Sequence, residues 1–261
     1  MTAQRLNSAL SWVIYAFLLA PILVVIIASF NAGAFLTFPP QGLSFRWYWT
    51  FLHNAVFMRA FATSIEIATL ATVISGVVGT MAALFAAQAR PAIANGVRIA
   101  MLAPMLLPEV LTAIGLLFYF YALGIGLHHG VALLAGHVLL TLPFIYINVS
   151  TALKGFDWSW QLAARSLGAG PWTTFFRITL PLIKSGVISG CLFSFIVSFD
   201  AFSTSFLLKD IGTATLPLQL FDYLRLNFTP EAAAVSSFTV FATLVVMVVT
   251  ERAFGLKIAR F

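Results

Sequence analysis

Three carboxylates, Glu66, Glu109 and Asp200, stand inside long apolar runs in which no Lys or Arg lies as deep. An acid in such surroundings is expensive and marks a functional position by default. With no base beside them, these acids point to a path for a positively charged solute. The alternative is that each is protonated or hydrogen-bonded between helices, to His137 or a serine for example. Glu66 has a further option, snorkelling to the outer interface. Pro104 and Pro108 precede Glu109 and free backbone carbonyls there, which is tolerated where a helix lines a cavity or packs on protein. Trp47, followed by Tyr48 and Trp49, suits an interfacial aromatic belt, with solute contact or docking as the other uses. His128 and His129 are adjacent and lack the further ligands of a metal site. The chain has no G-x-x-x-x-G-K-[ST] run and no evident nucleophile–base pair, so no catalytic role is expected. Cys191, the single cysteine, excludes an internal disulfide and reads as a small buried side chain.

Composition says what must position these groups. Of 261 residues, 61% are hydrophobic and only 8% charged, with a mean hydropathy of +1.00. Soluble domains carry about a quarter charged residues, so lipid is the sink for this much apolar surface. The net charge of +6 comes from basic residues scattered between apolar runs, not gathered into the patch that nucleic acid requires. Apolar length predicts spans over Leu10–Phe30, Ala60–Ala87, Val97–Leu123, Val131–Thr151, Gly186–Leu208 and Ala233–Thr250. The first is long for a signal-peptide core and is read as an uncleaved helix. The second is rich in Gly, Ala, Ser and Thr, the residues that let helix backbones approach closely in lipid. One membrane domain over residues 1–261 is expected: an all-α, polytopic bundle of six transmembrane helices.

Orientation follows from Lys and Arg placement. Arg5, Arg90, Arg98, Lys154, Arg165, Arg177, Lys184, Arg252, Lys257 and Arg260 fall on one side, and only Arg46, Arg59, Lys209 and Arg225 on the other. The bias predicts both termini in the cytoplasm. Counting from the basic residues that bound each span, Glu66 lies about 10 Å in from the outer face. Glu109 lies roughly 16 Å and Asp200 about 24 Å from the inner face.

The longest cytoplasmic loop joins spans four and five. Asp157 or Ser159 is expected to cap a short helix that stops at Gly168, and Gly170-Pro171 to start a second. Leu162-Ala163-Ala164, then Gly168 after three residues, then Ile178, Leu180 and Pro181, reproduces the spacing E-A-A, three residues, G, nine residues, I-x-L-P. This resembles the EAA loop of permeases of binding-protein-dependent ABC importers. Leu162 stands where that family usually has glutamate. Further stretches, Leu43 to Tyr48, Pro108-Glu109, His137 with Pro143-Phe144, Ser198-Phe199-Asp200 and Leu216-Pro217-Leu218, are similar to the second permease of spermidine/putrescine-type importers.

The resemblance implies a bacterial inner-membrane, non-catalytic subunit. It implies pairing with a second permease, two cytoplasmic ATPase subunits that hold ATP and Mg, and a periplasmic substrate-binding protein. This chain would bind no cofactor of its own. Gln161, Ala163, Ala164, Arg165, Gly168 and Pro181 would form the coupling-helix loop that meets the ATPase, with Gln161 or Arg165 supplying a polar contact in place of the missing acid. The solute expected is a small cationic amine of polyamine type. Opines, amino acids and other small amines are alternatives, and a proton-coupled secondary transporter using Glu109 and Asp200 is the rival of another class.

Overall fold

The structure, a computed structural model, describes residues 2–210 and 212–255. Lys257 and Arg260, and the side chains of Arg5 and His129, lie outside the described residues. Helices account for the architecture: α1 (Thr2–Ser29), α2 (Arg46–His53), α3 (Ala55–Gln88), α4 (Pro91–Leu106), α5 (Glu109–Ala122), α6 (Val131–Lys154), α7 (Ser159–Ser166), α8 (Pro171–Thr174), α9 (Leu180–Asp200), α10 (Phe202–Leu208), α11 (Leu216–Leu224) and α12 (Pro230–Phe254). Among the described residues, five stretches are long and apolar enough to cross a membrane: Leu10–Ser29, Ala55–Gln88, Val131–Lys154, Pro171–Asp200 and Pro230–Phe254.

The expected third span, Val97–Leu123, is not one rod. It breaks into α4 and α5, bent by 105° across Leu107 and Pro108. Pro108 has no amide hydrogen and holds its predecessor out of the helical region, so Leu107 is extended (φ −96°, ψ 144°) and the chain restarts at Glu109. The fifth span differs too. Its helix begins back in the connecting loop at Pro171 and ends at Asp200, and extended Ala201 separates it from α10.

Two compact units are present, residues 1–59 with 219–245, and residues 60–218 with 246–261. In the first, residues 10–25 of α1 are exposed all round. Phe51 packs edge-on to Phe57 at 5.6 Å between ring centroids, and buried Glu231 accepts from the Tyr223 hydroxyl at 2.9 Å and from Asn54 Nδ2 at 3.4 Å.

In the second unit α6 and α9 make the most extensive helix pair. The small residues of α3 do what their type predicts. A Cβ on Gly79 would come within 2.9 Å of Ile145 Cβ, and Ser75 Oγ meets Thr141 Oγ1 at 2.6 Å. Ile145, Tyr146, Val149, Leu153, Ile183 and Ala83 form the buried cluster where these helices meet, and Cys191 packs partly buried against it. At Gly186 a Cβ would sit 2.7 Å from both the Asn148 carbonyl oxygen and Ala152 Cβ. Neither obstacle is a flexible side-chain end, so Gly186→Ala must push α9 off α6. We expect it to cost about 1–3 kcal/mol, read as a lower unfolding midpoint in detergent; an unchanged midpoint would show that the pair can slide.

Candidate functional site

The loop after α6 folds as a compact double-helical corner. Asp157 Oδ1 accepts the Ser159 amide at 2.9 Å at the start of α7, but the cap position is Trp158, without a side-chain cap bond, so neither Asp157 nor Ser159 is the cap residue expected. That backbone bond, reinforced by the Ser159 side chain, holds the Asp157 carboxyl below its ordinary range. At the other end the Ala169 amide reaches the Ala164 carbonyl at 3.0 Å and the Gly168 amide reaches Arg165 at 2.9 Å. This paired C-terminal closure needs a left-handed residue, and Gly168 supplies it at φ +84°. Gly170 then leads into α8 with Pro171 in its first turn.

A π-helical turn, Phe175–Thr179, follows and was not foreseen. Pro181 explains it, because its ring crowds the carbonyl four residues back and a wider turn makes room. Gln161 Nε2 donates to buried Thr179 Oγ1 at 2.8 Å and so ties α7 to this turn. Gln161 is thus engaged within the chain, whereas Arg165 is exposed. Ala164 is buried beneath α7 and Ala163 is exposed. Leu162 (65% exposed) shares the surface with Trp160, Leu167 (89%), Trp172 (74%) and Phe176. Trp172 and Phe176 are stacked with ring centroids 6.1 Å apart. This segment presents an apolar surface with two exposed guanidinium groups, Arg165 and Arg177, a surface built to be covered.

Of the membrane acids, Glu109 and Asp200 lie within electrostatic reach of each other. Glu109 opens α5, and its Oε1 accepts from the Thr204 amide at 2.9 Å and the Thr204 hydroxyl at 2.8 Å. Thr204 is in the first turn of α10, whose cap residue Ala201 has no side-chain acceptor to offer. The carboxylate therefore does the work of a helix cap from another element. Asp200, exposed, is near enough for its charge to interact with that of Glu109. Glu66 is exposed on α3.

His137 does not pair with an acid. Fully buried, it meets Ser198 Oγ through Nδ1 at 2.7 Å and Ser205 Oγ through Nε2 at 3.1 Å, linking α6 to α9 and α10. Trp47 belongs to the other unit, where its Nε1 donates to the Asn31 carbonyl at 2.9 Å and the Arg46 guanidinium lies 4.4 Å from its ring. Buried Asn31, which sequence reasoning passed over, organises the loop after α1. Its Nδ2 donates to the Phe35 carbonyl and to Thr37 Oγ1, and its Oδ1 accepts the Gly33 and Gln41 amides, all between 2.9 and 3.1 Å. The only signal was a single polar residue directly after an apolar run.

The comparisons with known proteins agree with this geometry. Residues 75–257 match the family described as binding-protein-dependent transport system inner membrane component. The chain is 31% identical over 255 residues to the spermidine/putrescine transport system permease protein PotC of Haemophilus influenzae, covering 96% of this chain and 97% of that one. It is 34% identical over 229 residues to the putrescine transport system permease protein PotI of Escherichia coli, covering 85% and 81%. A bacterial ABC transporter that imports the acidic polysaccharide alginate shares the fold, with a TM-score of 0.70 at 19% identity over 97% of this chain and 96% of that one. The MetNI methionine ABC transporter does so with a TM-score of 0.60 at 16% identity, over 81% and 97%. The multi-pass helical fold is thus shared with importer permeases of known structure, and this chain belongs to the family of inner-membrane components of binding-protein-dependent transport systems.

Proposed function

We propose that the chain is the permease subunit through which a polyamine-type cation crosses the inner membrane, driven by ATP hydrolysed in partner chains. The observation that carries the solute class is that Glu109 and Asp200 lie within electrostatic reach of each other, with no Lys or Arg hydrogen-bonded to either among the described residues. Two acids so placed attract a cation with more than one positive charge. The names of the similar PotC and PotI proteins support the same class. In this reading Glu109, Asp200 and Glu66 border the solute's route and Trp47 stiffens the outer loop. The corner formed by Gln161, Ala163, Ala164, Arg165, Gly168 and Pro181 seats on an ATPase. Gln161 shapes that corner from within, and Leu162 makes the contact apolar where the EAA loop it resembles usually has an acid.

The partners are a second permease, two ATPase subunits holding ATP and Mg, and a periplasmic binding protein. Both termini face the cytoplasm on the strength of the Lys and Arg distribution. The chain is read as a single transmembrane permease domain over residues 1–261. ATP-driven closure of the ATPase pair on the two corners would supply the energy difference between inward- and outward-open states.

A tagged chain is expected to bring down an ATPase and a second permease. The assembly, reconstituted in vesicles, is expected to take up putrescine only with ATP and a binding protein. Uptake driven by a proton gradient without ATP would replace this reading with secondary transport.

A further inference from the structure

At the end of the second unit that carries Arg98 and Lys154, the ends of α3, α4 and α6 line an open cavity of about 790 Å3. Asn95 and Arg98 of α4, Tyr146, Ser150 and Lys154 of α6, and Trp158 supply its polar and amphipathic wall. Most of the rest is alanine from α3 and α4, and among the described residues no acidic one lines it. Arg98 and Lys154 are exposed, and among the described residues neither has a carboxylate partner.

We infer that this cavity is a binding site for a phosphate-bearing anion. Two unpaired cations flanked by an amide and hydroxyls provide charge-assisted donors for phosphate oxygens. The alanine wall and the two amphipathic rings suit the acyl region of a lipid whose headgroup carries that phosphate. Basic pockets between membrane helices on the cytoplasmic side take such headgroups. A cationic solute would be repelled here, so the cavity is separate in purpose from the region of Glu109 and Asp200. The leaflet assignment rests on the proposed orientation, which amine labelling of Lys154 in sealed cells tests on its own.

The assembled importer, purified through this chain and placed in phosphatidylcholine nanodiscs, is titrated with phosphatidylglycerol and the retained anionic lipid counted by native mass spectrometry. We expect retention at this site to weaken roughly fivefold for Arg98→Gln or Lys154→Gln and about 25-fold for both. Arg98→Lys with Lys154→Arg should keep it. Gel filtration verifies that each variant assembles, and the exposed single variant Lys154→Gln serves where the double variant does not. Displacement of the lipid by inorganic phosphate would identify free phosphate as an occupant; persistence would identify the headgroup. Equal retention by the wild-type and neutralised proteins, or no binding of either probe, would overturn the inference.

Discussion

Replacing His137 by alanine is expected to lower the unfolding midpoint in detergent by roughly 5–10 °C, from a loss of about 2–4 kcal/mol. The imidazole is fully buried and sits where α6, α9 and α10 meet. Its removal opens a void and strips Ser198 Oγ of its 2.7 Å partner, while Ser205 Oγ still donates to the Ala201 carbonyl at 2.7 Å. An orphaned buried hydroxyl costs about 1–3 kcal/mol, and the void adds to it. His137→Gln retains both a donor and an acceptor and should lose less than half as much. If alanine and glutamine destabilise equally, packing and not hydrogen bonding is what His137 supplies.

Glu109 gives the second large effect, and two substitutions separate its two uses. Glu109→Ala removes the acceptor for both Thr204 donors, leaving the first turn of α10 uncapped. It should cost about 2 kcal/mol, the usual worth of a hydrogen bond to a charged group with its orphaned partners. Glu109→Gln keeps an oxygen in place and should spare most of that stability. If the charge draws the solute, Glu109→Gln and Asp200→Asn should each reduce kcat/KM for putrescine uptake about tenfold, equivalent to 1.4 kcal/mol. Alanine damaging stability while both amides transport normally would leave Glu109 a helix cap and nothing more.

These two residues also show how much was legible in the sequence. Periodic features and local punctuation were readable: the apolar spans, the stop at Gly168, the restart at Pro171 and the close-packing face of α3. Each depends on residues within a few positions of one another, so sequence order carries the signal. Glu109 was singled out as an acid in the membrane, but its partner Thr204 is 95 positions away, and no local pattern joins them. His137 was offered as a partner for an acid, and its actual partners are serines 61 and 68 positions on. The break of the third span was half visible. Pro108 signalled disturbed hydrogen bonding, but a single proline is compatible with a kink or with a 105° turn. The π-helical turn before Pro181 was invisible for the same reason, since proline says that a helix must adjust and not how.

The loop after α1 has a consequence for speed. Asn31 accepts or donates through its side chain to four groups and through its carbonyl to Trp47, so this loop gives up its conformational freedom when the chain folds. A segment fixed in advance loses little entropy when another body settles on it. A visiting protein would therefore meet a finished template, with an association rate set by orientation and charge and not by waiting for a loop to order. Loosening the template, as Asn31→Ala would, should slow arrival before it weakens any contact at the interface.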